Sequence, residues 1–382
     1  MPIIVHLMGH SLLRSFATAI VVLGVFGGYR MLPQEAEGSE QSLAAIEKQA
    51  NAGDPAAQFR LGMFYANGNG VPQDYKQAAM WYRKAADEGL PEAQYNLGML
   101  YGRGLGVPED DAQALRWFRE AASHNLAQAQ YILGTLYESG VGVQKDFEQA
   151  AAWYQKAAEQ GNAEAQVNLG QLYEDGHGVP QSDADAITWY RKAASLGNAD
   201  AEVHLGFWYQ MGRTVPQDDA QSAEWFRKAA DQGNSFAENE IGKLYYTGKA
   251  VPKDYAQAAS WFLKAANQGI SESQWYIGFL FDRGEGVPQD YSQAASWYRK
   301  AADQGNANAQ GSLGYLNLLG RGMPQSNEDA YFWFDLAATG SSGTARDLIA
   351  KARDDVAAKL TRSQVSKVQT RATRWFSDHQ QK

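Results

Sequence analysis

The chain has 382 residues, of which eleven are Trp, twenty Tyr and fifteen Phe, with only 20% charged; that is too aromatic for a disordered chain. Cys is absent, which excludes a disulfide scaffold, a thiolate metal site, a Cys nucleophile and a lipidated Cys. Six scattered His (His6, His10, His124, His177, His204, His379) form no close pair, which argues against a His-built metal site. The net charge of −9 conceals −13 on residues 53–340, because residues 341–382 carry nine basic and four acidic side chains and residues 1–52 carry three and four. A body that acidic repels phosphate backbones, so nucleic acid is a poor partner.

The first candidate element is an uncharged run at residues 15–29 (SFATAIVVLGVFGGY), bounded by Arg14 and Arg30. Fifteen residues is short for a spanning helix, which needs about 20. Snorkelling of the two Arg side chains adds Leu12, Leu13, Met31 and Leu32 to the apolar length. As a secretory signal the run has a weakly basic start and no Ala-x-Ala site, leaving Gly27 or Gly28 as candidate cleavage residues. A buried helix would need a polar face, which the run lacks. We expect residues 1–29 to export the chain, either as a cleaved signal peptide or as an uncleaved membrane anchor. Residues 30–38 then read as a linker and 39–52 as a capping helix.

From residue 53 the sequence repeats. Trp81, Trp117, Trp153, Trp189, Trp225, Trp261, Trp297 and Trp333 are spaced 36 apart without a slip, and Gly62 to Gly314, Gly68 to Gly320 and the pairs Ala85-Ala86 to Ala337-Ala338 follow the same period. Eight units fill residues 53–340. Each reads as two helices. In the first unit Asp54-Pro55 caps helix A, and Ala57, Leu61, Phe64 and Tyr65 recur on one face. Gly68 ends the helix in the left-handed conformation, and Gly70-Val71-Pro72 bars continuation, with Val71 folding back as an anchor. Asp74 with Gln77 reads as a capping box opening helix B, whose apolar stripe is Ala78, Trp81, Tyr82, Ala85 and Ala86. Gly89 closes it. Gly62 lies inside helix A, at a cost of about 1 kcal/mol relative to Ala. Its recurrence implies a close approach, which we assign to the small Ala78 or Ala85 face of helix B. Burial of the Trp column predicts heavier damage on truncation in the middle of the array than at its ends.

After Gly340, residues 344–360 read as one more helix A, with Ala345 and Ile349 in register. Thr361 and Gln364 form another capping box and launch a basic helix through Trp375 and Phe376, which we expect to lie against the acidic array. Residues 341–382 are therefore C-terminal capping helices, which a stack of repeats needs for a polar outer face.

The columns Ala57, Leu61-Gly62, Tyr65, Gly68, Gly70-Val71, Asp74, Ala78, Trp81-Tyr82, Ala85-Ala86 and Gly89 resemble the Sel-1-like repeat, a relative of the tetratricopeptide repeat. The resemblance implies an all-α, right-handed α/α superhelical solenoid that acts as an adaptor for other proteins. One branch of the family is Cys-rich, secreted and associated with penicillin-binding or β-lactamase activity; this chain has neither Cys nor Ser-x-x-Lys. Nor does helix A reproduce the carboxylate clamp of chaperone-binding tetratricopeptide domains.

Signals for chemistry are weak. The Gly-x-Gly loops, such as Gly104-Leu105-Gly106, lack the third Gly and the strand of a dinucleotide site. Asp110-Asp111 and Asp218-Asp219 fall at helix N-caps, and His204 reads as a surface or contact residue and not as a general base. No nucleophile elbow, zinc-protease motif or phosphate loop is present. We therefore expect no enzyme and no cofactor or metal, but a protein-binding scaffold of the bacterial envelope, periplasmic or anchored in the inner membrane, acting in regulation or assembly. The alternatives are a secreted enzyme of the penicillin-binding type and a surface factor that binds a host protein. For the partner, a protein or peptide, the variable positions of helix A are the candidates: 56, 59, 60, 63, 66, 67 and their counterparts share one face. In tetratricopeptide-like stacks this face lines the concave groove. Its apolar members are Phe59, Met63, Tyr95, Met99, Tyr131, Phe207, Trp275, Tyr276, Phe279 and Tyr315. Column 59 also reads as packing against the next repeat. Column 63 is the better surface, since it admits Thr135, Gln171 and Lys243.

Overall fold

The computed structural model describes residues 43–380. The apolar run at 15–29, the linker at 30–38 and the first residues expected in the N-terminal cap lie outside them. Among the described residues there are nineteen helices and no strand. The described residues divide into two compact parts, one ending at Trp189 and the other beginning at Tyr190. In the first, helix Leu43–Asn51 precedes helices A and B of unit one (Pro55–Asn67, Tyr75–Asp87), unit two (Pro91–Arg103, Asp111–Ser123) and unit three (Ala127–Ser139, Phe147–Glu159), then helix A of unit four (Ala163–Asp175). Helix B of unit four, Asp183–Ser195, contains the division. The second part holds unit five (Ala199–Met211, Asp219–Asp231), unit six (Ser235–Thr247, Tyr255–Asn267), unit seven (Ser271–Arg283, Tyr291–Asp303) and unit eight (Ala307–Leu319, Asn327–Gly340). Helices Gly343–Ala357 and Arg362–Gln380 complete it. Within each part, helices consecutive through the repeats pack on one another, the order of an α/α solenoid.

The helix ends follow from their residues. Asp54 accepts from the backbone N–H of Ala56 and Ala57, Pro55 takes the first helical position, and Gly68 ends helix A at φ 72°. In unit two the second loop glycine is needed for space as well as for φ, since a Cβ on Gly106 would overlap the backbone of Tyr75, whereas one on Gly70 would meet nothing. Val107, Val143 and Val251 fold back onto the core, as expected of the Val71 column. At helix B the capping box is only half made. Asp74 accepts from Lys76 and Gln77 N–H, but its own N–H donates to the Tyr65 carbonyl at 2.8 Å instead of to Gln77. The same long-range bond holds Asp110, Asp146, Asp254 and Asp290. The chain turning back from helix A brings that carbonyl to the cap and leaves the Gln side chain nothing to satisfy. At Thr361 the box is complete, with Gln364 Oε1 accepting from Thr361 N–H at 2.9 Å and Thr361 Oγ1 from Gln364 N–H at 3.3 Å.

Gly62 approaches an aromatic ring, not an alanine face. A Cβ there would stand 2.6 Å from the Tyr82 ring, and Gly206, Gly242 and Gly314 face Phe226, Phe262 and Phe334 in the same way. The helices come close enough for the ring to lie over the glycine. The Trp column reaches back to the preceding unit: Trp81 packs with Ile46, Ala50, Ala57 and Leu61, and Trp117 with Tyr82 and Leu97. Lys84, Lys264 and Lys300 cover the outer ring faces of Trp81, Trp261 and Trp297 at 3.7–3.9 Å.

A polar bond joins successive units beside this packing. Gln58 Nε2 donates to the Ala50 carbonyl at 3.2 Å, and Gln94, Gln130, Gln166, Gln274 and Gln310 make the same bond to the carbonyl eight residues before, at 3.0–3.4 Å. All six side chains are buried. Units five and six carry Glu202 and Glu238 there instead.

The C-terminal basic helix lies against helix B of unit eight, as expected. Arg371 pairs with Asp329 at 2.7 Å and stands 3.9 Å over the Phe332 ring, while Gln364 donates to Glu328. Gly340 belongs to helix B and does not close it; the left-handed glycine is Gly343, at φ 58°.

Candidate protein-binding surface

Helix A places the variable columns by its period, and their surroundings divide them. Column 59 packs within its own unit. Phe59, Tyr95 and Tyr131 lie 5.7–5.9 Å from the rings of Tyr82, Phe118 and Tyr154 on helix B. Tyr95 is 8% exposed and offers almost no surface to a partner, so it belongs to the core and not to the candidate face. Phe59 and Tyr131 are half-buried. Column 63 is more open: Met63, Met99, Phe207 and Phe279 are half-buried, and Tyr315 is 46% exposed. Phe207 and Tyr315 set one ring edge against Phe226 and Phe334, at 5.0 and 4.9 Å, leaving the rest of each ring outward.

Units six and seven concentrate the aromatic surface. Trp275 lies 4.7 Å from Tyr276 and 5.6 Å from Phe279, and Tyr246 lies 5.3 Å from Tyr276. Tyr276 stacks on Phe262 at 4.5 Å, which fixes its plane, and Arg283 covers Phe279 at 4.5 Å. All four rings are half-buried. In unit eight Tyr315 and Leu319, 53% exposed, lie on the corresponding face. Rigid aromatic side chains lose little freedom when a partner covers them.

Beside the rings is a polar network that the column reading missed. Lys243 Nζ lies 2.6 Å from Glu240 Oε1 and 3.3 Å from Glu272 Oε2. Asn239 Nδ2 donates to Glu272 at 2.8 Å, and Ser273 Oγ donates to Asn239 Oδ1 at 2.6 Å. Burial raises the Glu240 carboxyl above its ordinary value against the pull of Lys243. Burial also disfavours the Lys243 cation, but Glu240 and Glu272 outweigh it and hold its pKa above the usual lysine value. These charges are spent on one another, so the network positions helix A of units six and seven. Its sequence signal was Glu240 and Lys243 at i and i+3 in columns that are aromatic or neutral in most other units. Tyr246 was legible only as a variable position.

The remaining candidates for chemistry have structural roles. Asp110 and Asp218 are N-caps, and the His204 ring stacks on Tyr190 at 4.3 Å. Among the described residues no group of His, Asp and Glu is arranged to hold a metal ion, and no helix is long and apolar enough to cross a membrane.

The family model of the Sel1 repeat matches eight consecutive segments of this chain: residues 55–90, 91–126, 127–162, 163–198, 199–234, 235–270, 271–306 and 307–342. A solved Sel1 repeat protein from Oxalobacter formigenes is 34% identical, with 81% of this chain and 89% of that chain covered and a TM-score of 0.60. The structure of c5321, described as a protective antigen present in uropathogenic Escherichia coli strains displaying an SLR fold, is 33% identical over 88% of this chain and 87% of that one, with a TM-score of 0.48. No curated protein matches the chain.

Proposed function

The chain belongs to the Sel1 repeat family, whose repeats mediate protein–protein interaction, and on that footing we propose that it is a non-catalytic scaffold of the bacterial envelope. It holds a protein or peptide partner on the helix A face, the face that lines the groove in stacks of this kind, and serves regulation or assembly. The observation that carries this reading is the aromatic cluster of Tyr246, Trp275, Tyr276 and Phe279, with Tyr315 and Leu319 exposed on the next helix A. Interfaces concentrate their energy in such rings. The envelope location rests on the apolar run at residues 15–29, and the membrane is reached through that segment if it stays uncleaved.

The test is a photo-crosslinking residue at Leu319 in living cells, with Ala152, exposed on helix B, as the control position. A discrete adduct is expected at 319, in the envelope fraction, and not at 152. Phe279→Ala with Tyr315→Ala should weaken it about tenfold, the equivalent of 1.4 kcal/mol, with circular dichroism unchanged. An adduct that survives the double substitution, or that forms equally at 152, places the partner elsewhere.

A further inference from the structure

The two departures from the glutamine column have a chemical consequence. In six units the amide at this position makes one bond, and in two of them a second. Its nitrogen donates to the carbonyl eight residues before, and in units three and seven its oxygen accepts from Gln160 or Gln304 at 2.7–2.8 Å. Glu202 and Glu238 keep the second bond, each accepting from Gln232 or Gln268 at 2.8 Å. They cannot make the first while ionised, because a carboxylate has no hydrogen to donate. Both side chains are only 4% exposed, so water is a poor substitute.

We propose that Glu202 and Glu238 are proton-controlled joints: as neutral acids they close the bonds to the Ala194 and Ala230 carbonyls that glutamine closes elsewhere, and as carboxylates they leave those bonds open. Two joints, Ala194 to Glu202 and Ala230 to Glu238, thereby tighten on mild acidification while the glutamine joints do not respond. The charged group acting on Glu202 is Lys228, and on Glu238 it is Lys264, each from the helix B that follows. Burial raises both carboxyls above the ordinary glutamate value, opposed by the Gln bond and the Lys. A raised folded-state value means that the folded protein takes up the proton first. The added stability is fully present below the unfolded value of about 4.3 and is lost as pH rises through the folded one.

Hydrogen exchange of the full chain at residues 194–202 and 230–238, across pH about 5 to 7.5, reads this directly once corrected for intrinsic exchange. At neutral pH the variant E202Q/E238Q should exchange more slowly than the native chain by about fivefold, the scale of one buried hydrogen bond. The gap should close towards acid. His204 is kept in both chains, so whatever it contributes cancels. The converse variant, Gln274→Glu, should give the joint at Ala266 the same acid-dependent protection. A gap that does not change with pH, or a glutamine variant no better protected at neutral pH, overturns the proposal; so does a Gln274→Glu joint that ignores pH.

Discussion

At Gly242 a methyl group would stand 2.6 Å from the Phe262 ring, which is fully buried and cannot swing away. Two effects compete in Gly242→Ala. Helix propensity favours Ala by about 1 kcal/mol, and overpacking costs about 1–3 kcal/mol. The clash is with Cδ1 and Cε1 along the edge of a rigid ring, not with the far end of a flexible side chain, so overpacking wins. We expect a lower denaturation midpoint for Gly242→Ala, and a smaller loss from the same change in a Phe262→Leu background. A midpoint that rises in the native background would show that the helices separate freely. The sequence makes the close approach legible, because a mid-helix glycine in every unit demands one. It does not say whether Ala78, Tyr82 or Ala85 supplies the neighbour, since all three share the helix B stripe and only the helix spacing decides. The Gln58 column is of the same kind: its repetition was visible, but its partner is a backbone carbonyl that leaves no mark on the sequence.

Helix ends show what a local motif can and cannot say. Asp146 accepts from the Gln149 N–H at 3.0 Å, while its own N–H is bound to the Tyr137 carbonyl at 2.8 Å. The Gln149 side chain therefore has no capping work. Asp146→Ala should cost about 1 kcal/mol, the usual worth of an N-cap, and Gln149→Ala close to nothing. The C-terminal helix is the contrast, because Gln364 bonds the Thr361 backbone, the Thr361 hydroxyl and Glu328. There Gln→Ala should be measurably destabilising. Urea midpoints of the three single variants separate the cases, and equal effects at Gln149 and Gln364 would contradict the bonding described. The spacing Asp-x-x-Gln and Thr-x-x-Gln reads alike in the sequence. What distinguishes them is the chain returning from helix A, a long-range contact that no local window contains. The aromatic face has a similar limit. The helical period places Trp275, Tyr276 and Phe279 on it, whereas the burial of Tyr95 depends on how Phe118 sits beneath.

Across the whole chain the 36-residue period made the eight helix pairs and both kinds of cap legible, because each unit buries its stripe only against its neighbours. It also predicts that a central Trp matters more than a terminal one. Burial reverses that order. Trp333 is 1% exposed, in a cluster closed by Val356, Val368 and Ala372 from the two C-terminal helices, with the Arg299 guanidinium 4.7 Å from its ring. Trp189 is only half-buried. The last unit is thus not a frayed end: the two C-terminal helices, the second of them basic and pinned by Arg371 to Asp329, seal it. Truncating a buried Trp costs about 3–5 kcal/mol, and a half-buried one loses less transfer energy and leaves a smaller cavity. Trp333→Ala should therefore lower stability more than Trp189→Ala. Deleting residues 362–382 should approach the Trp333→Ala loss, since it uncovers Phe332 and Trp333 together. Denaturant melts followed by circular dichroism rank the three variants. A larger loss at Trp189 would mean that position in the array, and not sealing by the terminal helices, governs how the second part holds together.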